Sequence, residues 1–208
     1  MRKVITICRE FGSGGREVGK RVAELLQVAY YDYEIVTALA KRTELAEEYI
    51  NRISEKRIEP VVYPPTTVGR IFHTPRGTHP LNQNMNIHLE QGKLLREFAA
   101  ASDCVIVGRC ANHILKYLDP LRVFIYADME TKVRRCKEYT PEDEKMSEVE
   151  LISRIKEVDK SRAAYYKTIT GEEWGKNLDY DIMINTTHYP IKLVAKIVAQ
   201  KILSGDEE

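Results

Sequence analysis

Glycine and arginine crowd the start of the chain in a pattern that asks for an anion. In ICREFGSGGREVGK, residues 7–20, a β-branched run meets a segment of helical period through Gly12, Ser13, Gly14 and Gly15, with Arg9, Arg16 and Glu17 at the margins. A strand, a glycine-rich turn and a helix start together present unpaired N–H groups and the positive end of a helix dipole, and phosphate is their usual occupant. The phosphate-loop pattern G-x-x-x-x-G-K-[ST] is met literally from Gly14 to Lys20, but Arg21 stands where a hydroxyl belongs and Lys20 falls inside the helix. Starting the loop at the end of the strand puts Arg9 in the first glycine position, Gly14 in the second, Gly15 at the lysine and Arg16 at the hydroxyl. In that register Gly12 to Gly15 form the cradle and Arg16 is the nearest cation. A G-x-G-x-x-G dinucleotide reading fails, because Glu17 occupies its last position.

Other residues of the right chemistry fall at the ends of further apolar runs, where open α/β sheets place their ligands. Asp32 follows VAYY, and Gly108 and Arg109 follow CVIV. Arg134 and Arg135 lie on a helix after LRVFIYA, while Asp159 and Arg162 are spaced to share a helix face. Guanidinium groups converging on one cleft suit phosphate oxygens through paired hydrogen bonds. Blander roles are open: Asp32 as the cap of the next helix, and Asp159 with Arg162 as a surface ion pair.

The elements that must position these residues alternate. Strands are expected at 4–8, 28–32, 104–107, 121–127 and 180–187, each apolar enough to be buried, with helices at 15–26, 34–53, 85–101, about 149–167 and 191–203. Such alternation indicates an α/β fold with a central parallel sheet of about five strands covered by helices. Residues 59–84 carry Pro60, Pro64, Pro65, Pro75 and Pro80 and read as an inserted lobe or loop, and YTPEDEKMSE at 139–148 reads as an exposed lid.

A length of 208 residues suits one core, and 32 basic against 31 acidic residues give no reason to expect a nucleic acid as partner. Cys8, Cys104, Cys110 and Cys136 show no metal-ligand spacing, and no apolar run reaches membrane-spanning length. The expectation is a reduced, cytoplasmic protein with no membrane or nucleic-acid partner.

The order of these motifs resembles the cytidylate kinase-like family, relatives of bacterial CMP kinase among the P-loop nucleoside monophosphate kinases. REFGSGGREVGKRVAELLQVAYYDYEI is similar to that family's opening segment, CVIVGRC to its strand ending in Gly-Arg-Asp with Cys110 in place of the aspartate, and DKSRAAYYKTITGEEWG to its Asp-x-x-Arg segment. The resemblance implies a single three-layer P-loop kinase domain over 1–208, with an acceptor-binding insertion at 43–100 and a lid at 139–148. It implies transfer of the γ-phosphoryl of ATP, with Mg2+, to a small acceptor such as CMP or dCMP. By the same resemblance Arg16, Arg135 and Asp159 would be catalytic, Arg9, Gly12, Ser13, Gly14, Gly15, Arg16 and Glu17 would hold the donor, and Asp32, Arg109 and Arg162 the acceptor. The magnesium ligands stay unassigned, and the insertion leaves a homo-oligomer open. The missing lysine and hydroxyl also admit a nucleotide sensor without turnover, or a kinase of a non-nucleotide metabolite.

Overall fold

The computed structural model describes residues 3–53, 80–139, 146–176 and 179–204. β1 (Val4–Arg9) runs into α1 (Gly15–Leu26), followed by β2 (Ala29–Tyr31), α2 (Tyr33–Thr43) and α3 (Glu47–Ile53). After α4 (Pro80–Ala101) come β3 (Cys104–Val107), the short α5 (Ala111–Ile114) and β4 (Leu121–Tyr126). α6 (Met129–Tyr139), α7 (Glu148–Thr170), β5 (Ile182–Asn185) and α8 (Ile191–Ser204) complete the chain.

The five strands form an all-parallel sheet in the order β2-β3-β1-β4-β5. Val4 lies opposite Cys104 and Ile7 opposite Val107, while Cys8 lies opposite Phe124. Alternate β3 residues serve opposite layers: Val105 and Val107 pack with Val18 and Val22 of α1 and Val194 and Val198 of α8, whereas Cys104 and Ile106 pack with Leu39 of α2 and Leu95 of α4. The sheet between two helical layers makes the three-layer α/β arrangement that the alternation indicates. Each fully buried Val, Leu or Ile contributes about 1.5–3 kcal/mol relative to exposure, so Val22→Asp on α1 would break one face of the core.

The helix expected over 34–53 is two helices. α2 stops at Thr43 because Glu44 adopts the left-handed conformation, φ 56°, and Leu45 donates back to the carbonyl of Ala40. The apolar spacing gives the reason, since Leu45 is out of phase with the face carrying Ile35 and Leu39. α7 begins on a capping box in which the Ser147 hydroxyl accepts from the Glu150 N–H and the Glu150 carboxylate accepts from the Ser147 N–H. The expected loop at 59–84 and lid at 139–148 lie largely outside the described residues, and the expected insertion at 43–100 is described at α3 and α4. Among the described residues, no helix is long and apolar enough to cross a membrane.

Candidate active site

Because the sheet is parallel, the C-terminal ends of β1, β2 and β3 deliver Arg9, Asp32 and the Gly108–Arg109 turn to one edge. The segment from Glu10 to Gly14 connects β1 to α1, and Gly12 and Gly14 take φ of 75° and 83°. A Cβ at Gly12 would stand 3.0 Å from the Lys132 carbonyl and the Cys136 sulfur, and one at Gly14 would collide with Ile191. Ser13 is buried; its hydroxyl donates to the Glu10 carbonyl at 2.8 Å and accepts from the Gly15 N–H at 3.4 Å. The Ser13 carbonyl accepts from Arg135 Nη1 at 2.8 Å and from Thr186 Oγ1 at 2.7 Å. The first N–H groups of α1 follow directly on this loop, and a helix start of that kind suits an anion.

Arg9 is 8% exposed and its side chain runs beneath Gly15 toward Gly108; a Cβ on either glycine would collide with it. Its Nη2 stands 4.0 Å from one oxygen of the buried Asp32, whose other oxygen receives Arg16 Nε at 2.5 Å. Asp32 is therefore a shared counter-ion, and its side chain makes no capping hydrogen bond to α2. Arg16 itself is largely exposed, the Glu17 carboxylate pairs with Arg21, and Lys20 is solvated.

Lys132 of α6 is 5% exposed and sits between two carboxylates, 2.6 Å from Glu10 Oε2 and 3.1 Å from Asp159 Oδ2. The other Asp159 oxygen accepts from the Phe11 N–H at 2.7 Å. Arg162, one turn further along α7, donates to the Arg9 carbonyl at 3.2 Å and lies over the Phe11 ring, 5.9 Å from its centroid. Asp159 and Arg162 are thus drawn onto the loop, and they also form the i,i+3 ion pair, 4.0 Å apart, with both side chains mostly buried rather than on the surface. Arg135 spends three hydrogen bonds on Ser13 and Thr186, so here it fastens the loop.

The turn after β3 is unusual in a different way. Gly108, Arg109 and Cys110 have successive φ values of 76°, 58° and 54°, and for the last two the left-handed conformation costs about 1–2 kcal/mol each. Gln91 of α4, fully buried, holds the turn by donating to the Arg109 carbonyl at 3.3 Å and to the Tyr165 hydroxyl at 3.0 Å. His88 Nδ1 is 3.0 Å from the same hydroxyl, and burial pulls the imidazole pKa down to about 4, so it is neutral at pH 7. Cys8 lies beside this turn with its thiol 3.5 Å from Asn112 Oδ1, and burial pushes that thiol up to about 11, too high for a thiolate nucleophile. Arg9, Arg109, Arg162, Tyr165 and Trp174 line a recess of about 30 Å³.

Sequence reasoning missed Lys132 as a loop residue, Thr186 as the clamp on Ser13, and Gln91 as the prop under the Arg109 turn. Lys132 stands one turn before Arg135 on α6, but nothing in the local pattern says which basic residue faces the loop. Among the described residues the donor set does not make a magnesium cage, since Glu10, Asp32 and Asp159 are each engaged by a cation.

A sequence profile of the cytidylate kinase-like family matches residues 4–188. No curated protein matches. Among solved structures, an uncharacterized protein from Eubacterium ventriosum ATCC 27560 is 25% identical, with a TM-score of 0.70 over 98% of this chain and 99% of its own. Shikimate kinase from Acinetobacter baumannii, in complex with shikimate, is similar at 16% identity and TM-score 0.54, covering 100% of this chain and 97% of that one. Shikimate kinase from Bacteroides thetaiotaomicron is similar at 17% identity and TM-score 0.52, covering 97% and 98%. The shikimate kinases share the fold.

Proposed function

The chain belongs to the cytidylate kinase-like family, and from that premise we propose that it is a phosphotransferase moving the γ-phosphoryl group of ATP to a small acceptor, with a nucleoside monophosphate such as CMP or dCMP as the first candidate. The observation that carries the reading is the convergence of Arg9, Arg109 and Arg162 on one recess beside a glycine loop at the end of β1. Three arginines around a small cavity fit the oxygens of a phosphate or a carboxylate, and a net charge of +1 leaves this a local feature.

The chemistry asked of the chain is positioning and charge neutralisation. N–H groups at the start of α1 hold the donor phosphates. Arg109 and Arg162 grip the acceptor phosphate and turn one of its oxygens toward the γ-phosphorus. That oxygen forms the new P–O bond as the bond to the β–γ bridging oxygen breaks, and ADP leaves with the electron pair. Asp159 works through Phe11 and Lys132, keeping the loop in register. An acceptor that offers a hydroxyl would in addition need a base, and Asp32, directly after β2, is a carboxylate placed for that role. Magnesium, when bound with ATP, supplies further charge neutralisation at the phosphates.

The test is ADP release from Mg-ATP across a panel of nucleoside monophosphates, nucleosides, hydroxy acids and phosphorylated sugars. Turnover with one class and an Arg109→Ala loss of at least about tenfold, largely in acceptor KM, supports the reading. Absence of turnover across the panel would sink it. A second reading is a nucleotide sensor, favoured by Gly15 and Arg16 at the positions where lysine and hydroxyl are usual. It expects ATP to raise the melting temperature while ADP release stays at background.

A further inference from the structure

A phosphate loop without its lysine must find positive charge elsewhere. Arg16, next in sequence, points its guanidinium at Asp32 from a largely exposed position, where water screens it. Lys132 is already shared by two carboxylates. Arg9 differs from both, because its side chain is buried, with its stem against the first residue of α1 and its guanidinium against Gly108, and it lines the recess.

The two glycines give Arg9 its meaning. Gly15 is the first residue of α1, and a Cβ there would collide with Arg9 Cβ; Gly108 closes β3, and a Cβ there would collide with Arg9 Nη1. The side chain therefore threads two notches, one in the position that usually carries lysine and one at the mouth of the recess. A purely structural tie between β1 and the end of β2 would not need this route, since a well-packed apolar pair serves as well without burying a charge. A buried guanidinium repays its desolvation when a polyanion arrives.

We propose that Arg9 supplies the positive charge that a phosphate loop ordinarily takes from its lysine, with Gly15 and Gly108 being glycines so that its guanidinium can reach the transferred phosphoryl group from beneath the loop. The inference rests on the phosphotransfer reading above and names a catalytic residue for it. Arg9 stays protonated throughout; its planar fork spans donor and acceptor, one edge toward the γ-phosphoryl oxygens and the other toward the recess held by Arg109 and Arg162. The charge arrives from the strand, whereas the usual lysine arrives from the helix.

The experiment compares Arg9→Met, Gly108→Ala, Arg16→Met and the swap Arg9→Gly with Gly15→Lys, reading kcat and ATP KM with the best acceptor. It also reads the thermal stabilisation given by ATP relative to AMP. Arg9→Met should lower kcat by at least about 100-fold with ATP KM changed only a few-fold, and should erase the preference for ATP over AMP. Gly108→Ala, which displaces the guanidinium without removing it, should cost at least about tenfold, while Arg16→Met should cost less than that. The swap should recover at least about tenfold over Arg9→Gly alone. An Arg9→Met enzyme within threefold of wild type, or Arg16→Met as the more damaged variant, would overturn the assignment. If Arg9→Met fails to fold by circular dichroism, Gly108→Ala and the swap decide. A wild-type protein that binds ATP but phosphorylates nothing removes the kinase reading, and Arg9 is then judged on the ATP-over-AMP preference alone. A flat nucleotide response overturns both.

Discussion

The loop after β1 and the turn after β3 reverse the chain side by side at the same edge of the sheet, yet their backbones are held in opposite ways. In the loop, positive φ falls on Gly12 and Gly14, and fastening comes from outside, through Lys132, Arg135, Asp159 and Thr186. In the turn, positive φ extends past Gly108 to Arg109 and Cys110, and a buried amide, Gln91, holds the Arg109 carbonyl. The loop needs bare N–H groups, which glycine leaves accessible at no steric cost. The turn needs a guanidinium in place, and glycine cannot supply one, so strain is accepted there.

That contrast can be attacked from its strongest point downward. Lys132→Met leaves Glu10 without its cation and Asp159 with Arg162 at 4.0 Å, and because both carboxylates keep some solvent access the loss should be near the low end for buried pairs, about 3 kcal/mol by urea unfolding. A change below about 1 kcal/mol would mean the loop is not fastened through this network. Gly14→Ala adds a left-handed alanine and a collision with Ile191, for an expected loss of about 2 kcal/mol, whereas an alanine at Arg109 adds no new backbone strain. Thr186→Val removes the hydroxyl that donates to the Ser13 carbonyl and accepts from Arg135, and should cost about 1–2 kcal/mol with weaker ATP binding. Arg109→Gly should move the other way in stability, a gain of up to about 1 kcal/mol, while acceptor KM rises. Loss of stability in that variant would show that the turn is not strained.

The smallest effect concerns acid. His88 has its folded pKa near 4, below the ordinary 6.5 of an unfolded histidine. Between those values the unfolded chain binds a proton that the folded chain refuses, so this contribution is present above pH 6.5 and is lost as pH falls toward 4. His88→Gln should flatten the fall in melting temperature over that window. Since His88 and Gln91 both bond Tyr165 on the turn side, the acid response should appear in acceptor affinity before it appears in ATP binding.

Much of this architecture was legible because residue types announced it. The run of β-branched residues, four loop residues of small size and a helical period fixed β1, the loop and α1, and the ends of the other apolar runs located Asp32 and Arg109. The break between α2 and α3 was hidden, because Thr43 and Glu44 are tolerable helix residues and only the phase slip at Leu45 betrays it. Lys132 was hidden because its partners, Glu10 and Asp159, are far away in sequence. The strained turn was hidden for another reason: neither arginine nor cysteine carries a left-handed preference, so tertiary packing alone imposes it. Arg16 drew attention as the next residue after the glycines, but adjacency in sequence says nothing about whether a side chain is buried or bathed in water.

Cys136 also bears on the loop. Cys8, Cys104 and Cys110 are buried, and burial raises the Cys8 and Cys104 thiols to about 11, while Cys136, whose thiol burial also raises, retains partial exposure beside Gly12. Mild alkylation should therefore mark Cys136 first, and its rate becomes a built-in chemical gauge of whether the loop beside it is filled, without any engineered label.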